Sequence, residues 1–187
     1  MLPEEEREVM LTVSQQRVFN EVARKSAYIG GKTVPNEKDP DVYDRVAVVD
    51  EDSPELEEFW DEATVDLANA LQSRMVREGF HEEQEPEPEP EPTPDDDNNE
   101  EEPEEPAEEH SDQYEVVLSV WQDFEDKMLP TMNKQLYAYF VAAILAKWCM
   151  LIHHTDVEYY GALALSHLDE LRSNCYRKIF ERKQNPF

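Results

Sequence analysis

HEEQEPEPEPEPTPDDDNNEEEPEEPAEEHSD, residues 81–112, is the stretch on which the organisation of this chain turns. It holds seventeen carboxylates and seven prolines, with no Lys or Arg, and Ala107 is its one apolar side chain besides the prolines. Proline removes backbone donors and fixes φ, and like charges repel. The segment is therefore expected to be disordered, extended and solvated, outside any core. It divides the chain into flanks 1–80 and 113–187, so it is an acidic arm, a linker between two domains, or an insertion within one domain.

The flanks decide among these. Residues 8–15 read EVMLTVSQ and residues 115–122 read EVVLSVWQ, identical at five of eight positions. Both are rich in β-branched residues and bounded by polar ones, the pattern of a short strand. A lone strand would leave its backbone groups unpaired, so each needs a neighbour, and the two are expected to pair in one small sheet. The block at 81–112 then becomes an insertion within a single domain spanning 1–187. Either flank alone would bury too little surface to offset its chain entropy.

Four helices complete the pattern. Ser14 can cap a helix through QQRVFNEVARKSAYI, with Val18 and Val22 on its apolar face and Gly30-Gly31 as its end. A loop over 32–52 follows, with a short extended piece from Tyr43 to Val49. Ser53 opens a second helix, with Pro54 at its first position and Leu56, Phe59 or Trp60, Ala63, Leu67, Ala70 or Leu71, and Met75 at helical spacing, ending near Gly79. Beyond Pro130, Thr131 starts an apolar helix to about Ile152, whose apolar residues cover nearly its whole circumference and mark it as central. Thr155-Asp156-Val157-Glu158 reads as a capping box opening a last helix to about Lys183. The expected fold is mainly α (α+β): a four-helix bundle with a small two-stranded sheet and a long disordered acidic insertion.

Net charge is −28, of which the acidic block supplies 17, leaving −11 on the rest. Such a surface repels nucleic acid and anionic membranes, and no sequence-specific nucleic-acid binding is expected. Basic residues gather only at Arg172, Arg177, Lys178, Arg182 and Lys183. Residues 136–152 are apolar but seventeen long and contain Lys147, which fits a buried helix better than a membrane span of ~20 residues. No secretory signal is read at MLPEEEREVM. Two cysteines, Cys149 and Cys175, exclude a disulfide scaffold and suit a reducing compartment.

Chemistry-bearing patterns are sparse. His153-His154, near Asp156 and Glu158, has metal-ligand residue types, but adjacent histidines in a turn diverge, so a solvated turn is the better account. Cys149 and Cys175 should lie at different heights of an antiparallel hairpin, too far apart to bridge. Asp39 to Asp50 departs from a calcium loop at its glycine and its final Glu positions. No catalytic, cofactor-binding or metal-binding residues are assigned. The adjacent aromatics Tyr159 and Tyr160 exceed what a small core can bury and are expected, with Arg172, Arg177, Lys178, Arg182 and Lys183, at an interface.

Three features together resemble the head–tail connector (neck adaptor) proteins of tailed bacteriophages and prophages. They are ARKSAYIGGK at 23–32 followed by YDRVAVVDED at 43–52 and a Leu/Trp helix at 56–75; the strand YEVVLSVW at 114–121; and an apolar helix ending in AKW at 146–148, followed by VEYYGALALSHLDELRSNCYRK and a basic tail. The resemblance covers about 150 residues and is one of pattern and order. It implies a non-enzymatic virion structural protein without cofactor, a homo-oligomeric ring beneath the portal, contacts to portal and tail proteins, and a place in the virion neck. The alternative from another class is an acidic regulator or DNA mimic in the host cytoplasm that occupies a basic cleft on a nucleic-acid-binding protein. An enzyme using Cys149 or His154 ranks third.

Overall fold

A computed structural model describes residues 6–33, 46–80 and 112–176. The disorder expected of the acidic block lies outside the described residues, Asp112 excepted, as does the failed calcium-loop pattern up to Asp44.

The two matching octapeptides do pair. Strand β1 (Glu6–Ser14) runs antiparallel to β3 (Gln113–Trp121), with Val9 opposite Leu118, Leu11 opposite Val116 and Val13 opposite Tyr114. Side chains alternate across a strand, so Val9, Leu11 and Val13 point into the core while Glu8, Met10 and Thr12 face away. The sheet has a third strand where two were expected. Strand β2 (Met75–Phe80) pairs with the other edge of β3, giving the order β1-β3-β2. The helix expected to run to Gly79 instead stops at Leu71, and the Arg74 N–H closes a turn on the Leu71 carbonyl at 2.7 Å. Gly79 sits at φ 149°, a conformation that L side chains rarely adopt. Phe80 lies opposite Tyr114, so residues 81–111 connect two adjacent antiparallel strands. The segment leaves and rejoins the fold at one end of one hairpin.

Helix α1 (Gln15–Thr33) follows β1 directly, and Ser14 caps it as expected: its Oγ accepts from the Arg17 N–H at 3.1 Å. Gly30-Gly31 does not end it, because the helix continues to Thr33. Val46, Ala47 and Val48 are buried but form no strand, so the extended piece read at 43–49 is absent over its described part. Helix α2 (Ser53–Leu71) has Pro54 in its first turn and buries Leu56, Trp60, Ala63, Leu67 and Leu71, the spacing read from the sequence. Helix α3 (Leu129–Leu151) starts two residues earlier than expected, with Pro130 inside its first turn, where a missing N–H costs nothing. Helix α4 (Val157–Cys175) starts one residue later than the expected capping box requires: Asp156 and not Thr155 stands at the N-cap, and it makes no side-chain cap bond. Instead His154 Nδ1 accepts the Asp156 N–H at 3.2 Å, and His153 takes φ 54° to turn the chain.

The fold is mostly helical, and α3 is its hub. Helices α1, α2 and α4 and strand β1 all pack on it, so the sheet fills a side that a closed bundle would give to a helix. One core cluster draws on both sides of the acidic block, joining Val9, Leu11, Val18, Trp60 and Leu67 to Leu118, Leu136, Phe140, Ile144 and Leu171. Trp60 stacks on Phe140 with centroids 4.1 Å apart and meets Phe19 and Tyr114 edge-on. Each fully buried large apolar side chain here is worth about 1.5–3 kcal/mol. No described helix is long and apolar enough to cross a membrane.

Candidate interaction surfaces

At the α3–α4 turn a second, smaller apolar cluster forms from Ile29 of α1, Val46 and Cys149, with Ile152, Val157 and Tyr160 packed against it. Trp148 anchors it by donating its indole N–H to the Val46 carbonyl at 2.8 Å. Large apolar side chains next to this cluster in sequence point outward: Met150, Leu151 and Tyr159 are 61 %, 53 % and 63 % exposed, and Val49 is about half exposed. The two tyrosines expected at an interface therefore differ. Tyr160 packs against the cluster while Tyr159 projects, their rings 5.0 Å apart and edge-on. Arg172 is exposed on α4. Arg177, Lys178, Arg182 and Lys183 lie outside the described residues.

Met150 and Leu151 were not singled out by sequence reasoning, because an apolar helix read as buried all round hides which of its last residues run past their partners. Leu165 was missed for a related reason. It follows Ala164 of the buried face by one position, about 100° round the helix, and is 65 % exposed.

Leu165 borders an open groove of about 600 Å³ between α2, α3 and α4. Small side chains make it: Ala70 on α2, Ala143 and Ala146 on α3, and Gly161 and Ala164 on α4. Tyr139 lies in its wall with its hydroxyl bonded to the Ala63 carbonyl at 2.8 Å. Its polar members are Asp66, Asn69 and Lys147, and Lys147 is held by Glu62.

On the sheet face away from the core lies a buried charged cluster. Arg74, 9 % exposed in its side chain, donates to Glu6 of β1 at 2.7 Å. Its guanidinium also lies over two rings, Trp121 at 5.0 Å and Tyr176 at 4.8 Å. Ser119 donates to the second Glu6 oxygen, and the Tyr176 hydroxyl is hydrogen-bonded to Ser73. Four elements thus meet at one arginine, which fixes the end of α4 against the α2–β2 turn.

The two cysteines are free and buried. Burial pushes both thiols up to about 11, opposed at Cys175 by the nearby Arg74 charge. Both are held protonated at neutral pH, the form that is neither nucleophile nor metal ligand. His154 is mostly buried rather than solvated. Among the described residues no group of three or more His, Cys, Asp or Glu side chains could hold a metal ion. No family model, curated protein or solved structure matches this chain.

Proposed function

We propose that this chain is a non-enzymatic structural protein of a tailed-phage or prophage virion, a connector that assembles as a homo-oligomeric ring between portal and tail. The observation that carries this reading is the apolar end at the α3–α4 turn, where Met150, Leu151 and Tyr159 project around a small cluster. Exposed apolar side chains gathered at one place mark a surface that another chain covers. In a ring that chain is the next copy, and a heterologous contact that closes on itself buries the patch on every protomer. The resemblance of the sequence, in pattern and order, to connector proteins supports a place for that ring between portal and tail.

The root of the acidic segment also fits this reading. Its two ends, Phe80 and Gln113, lie on the neighbouring strands β2 and β3, which leaves the described helices and sheet to supply the contacts of a ring. A ring with so acidic a surface would repel DNA passing through it and let it slide. Sedimentation at high protein concentration tests the proposal. The wild-type chain is expected to associate, and the double variant Leu151→Asp/Tyr159→Asp to stay monomeric with an unchanged circular dichroism spectrum. Loss of a host partner, with assembly unaffected, on removal of 82–111 would favour the acidic mimic instead.

A further inference from the structure

We propose that the groove between α2, α3 and α4 is the seat of the chain's own C-terminal segment, residues 177–187, bound within the same molecule. This stands apart from the connector reading and requires no ring.

The start of the segment is fixed beside the groove. Tyr176 rests on Arg74 and hydrogen-bonds Ser73. Asn69 and Ala70, which line the near end of the groove, lie in the last turn of α2, four and three residues before Ser73 in the turn that follows it. On α4, Leu168 lies eight residues before Tyr176, about 12 Å along the helix axis. Phe180 lies four residues beyond Tyr176 and can reach about 13–14 Å. The first aromatic of the segment therefore just spans the distance to the near end of the groove without leaving its own molecule.

Composition and charge match as well. The segment reads RKIFERKQNPF: Ile179 and Phe180 between Arg177-Lys178 and Arg182-Lys183, with Phe187 beyond. The groove offers an apolar floor of alanine and glycine, with Leu165 and Leu168 on the α4 side and Asp66 on the α2 side. Asp169, exposed one turn beyond Leu165, adds a second carboxylate on the α4 ridge. Lys147, the basic group of the groove, is already held by Glu62. A segment with four basic residues and two phenylalanines is drawn to an apolar groove edged by carboxylates. Its attachment at Tyr176 also gives it a high effective concentration at the groove.

The test uses the full chain with the photo-cross-linker p-benzoylphenylalanine in place of Phe180, prepared as an equal mixture of isotopically heavy and light copies. Cross-links from position 180 to Asn69, Ala70, Leu165 or Leu168, confined to heavy–heavy and light–light pairs, are the expected result. Leu165→Lys in the same chain should remove most of that product, since it deletes an apolar wall and repels the segment. Mixed heavy–light cross-links would overturn the proposal in favour of a neighbouring copy, and cross-links elsewhere or none would overturn the groove as the seat. Methyl NMR of the full chain gives a second readout without the cross-linker. Phe180→Ser should shift the Leu165 and Leu168 methyl resonances, and unmoved resonances contradict the proposal.

Discussion

Met10 lies directly opposite Val117 across the β1–β3 ladder, and each is the third residue of its matching octapeptide. The register follows from this one pair. A residue of EVMLTVSQ and its equivalent in EVVLSVWQ occupy positions related by a local two-fold axis passing between Met10 and Val117. Val9 and Val116, Leu11 and Leu118, and Val13 and Val120 are therefore equivalent, and all six point into the core. A repeat of eight residues, 107 positions apart, thus marks two strands that pair edge to edge in one sheet. That pairing, with β2 on the other edge of β3, puts both ends of residues 81–111 on one sheet.

Replacing residues 82–111 with a short glycine-containing turn, while keeping Asp112, should leave the fold intact. Asp112 is kept because its carboxylate accepts from Ser14 and its carbonyl accepts from the Gln15 N–H at 2.9 Å, which ties down the start of α1. Loop closure costs about 0.6 kcal/mol per doubling of length, so shortening roughly eightfold should stabilise the protein by about 2 kcal/mol. Thermal melting followed by circular dichroism checks this, and a variant that fails to fold would show that the segment is part of the core.

Arg74→Ala should destabilise by about 3–5 kcal/mol, because it leaves the largely buried Glu6 carboxylate without its charge partner. The same variant removes the platform under Trp121 and Tyr176. Urea denaturation measures the loss. A change below about 1 kcal/mol would mean that the pair behaves like an exposed salt bridge.

Gly79→Ala should also destabilise, through backbone strain alone. A Cβ built at this position meets nothing within 4 Å, so the cost comes from φ 149° and not from crowding. About 1–3 kcal/mol is expected, against no loss for Gly161→Ala, which lies within a helix and likewise has open space.

Stability should fall in alkali. Burial raises Cys149 and Cys175 from 9.0 to about 11, and it raises Tyr114 and Tyr139 well above 10.0. Groups whose folded pKa is raised stabilise the fold fully below the unfolded value, and that stability is lost as pH rises towards the folded one. The urea midpoint should be flat up to about pH 8.5 and then decline between pH 9 and 11 and beyond. Replacing both cysteines with alanine should flatten the first part of that decline.

The elements legible in the sequence were those with a strong period or a strong cap. Leu56 to Leu71 recur at helical spacing, Val9-Leu11-Val13 alternate, and Ser14 does cap α1. Strand β2 was not legible, because MVREGF continues a helical run with no proline between, and just two of its six residues, Met75 and Gly79, are even partly buried. Its place is fixed by pairing to β3, a contact across 34 or more residues that no local pattern records. The capping box at Thr155 to Glu158 was legible but not used, because His153 at φ 54° and His154 take over the turn. Of the interaction surfaces, Tyr159 was visible as an excess aromatic. Met150, Leu151 and the alanine-floored groove follow from where α3 ends and how closely α2 and α4 approach it. Those are tertiary facts.

The ring proposed for copies of this chain is open to imaging by electron microscopy. The full chain, concentrated alone and then mixed with a phage portal protein, is predicted to give closed rings, free or seated on the portal, that Leu151→Asp/Tyr159→Asp abolishes. A strict monomer under both conditions, with no density added to the portal, would contradict it.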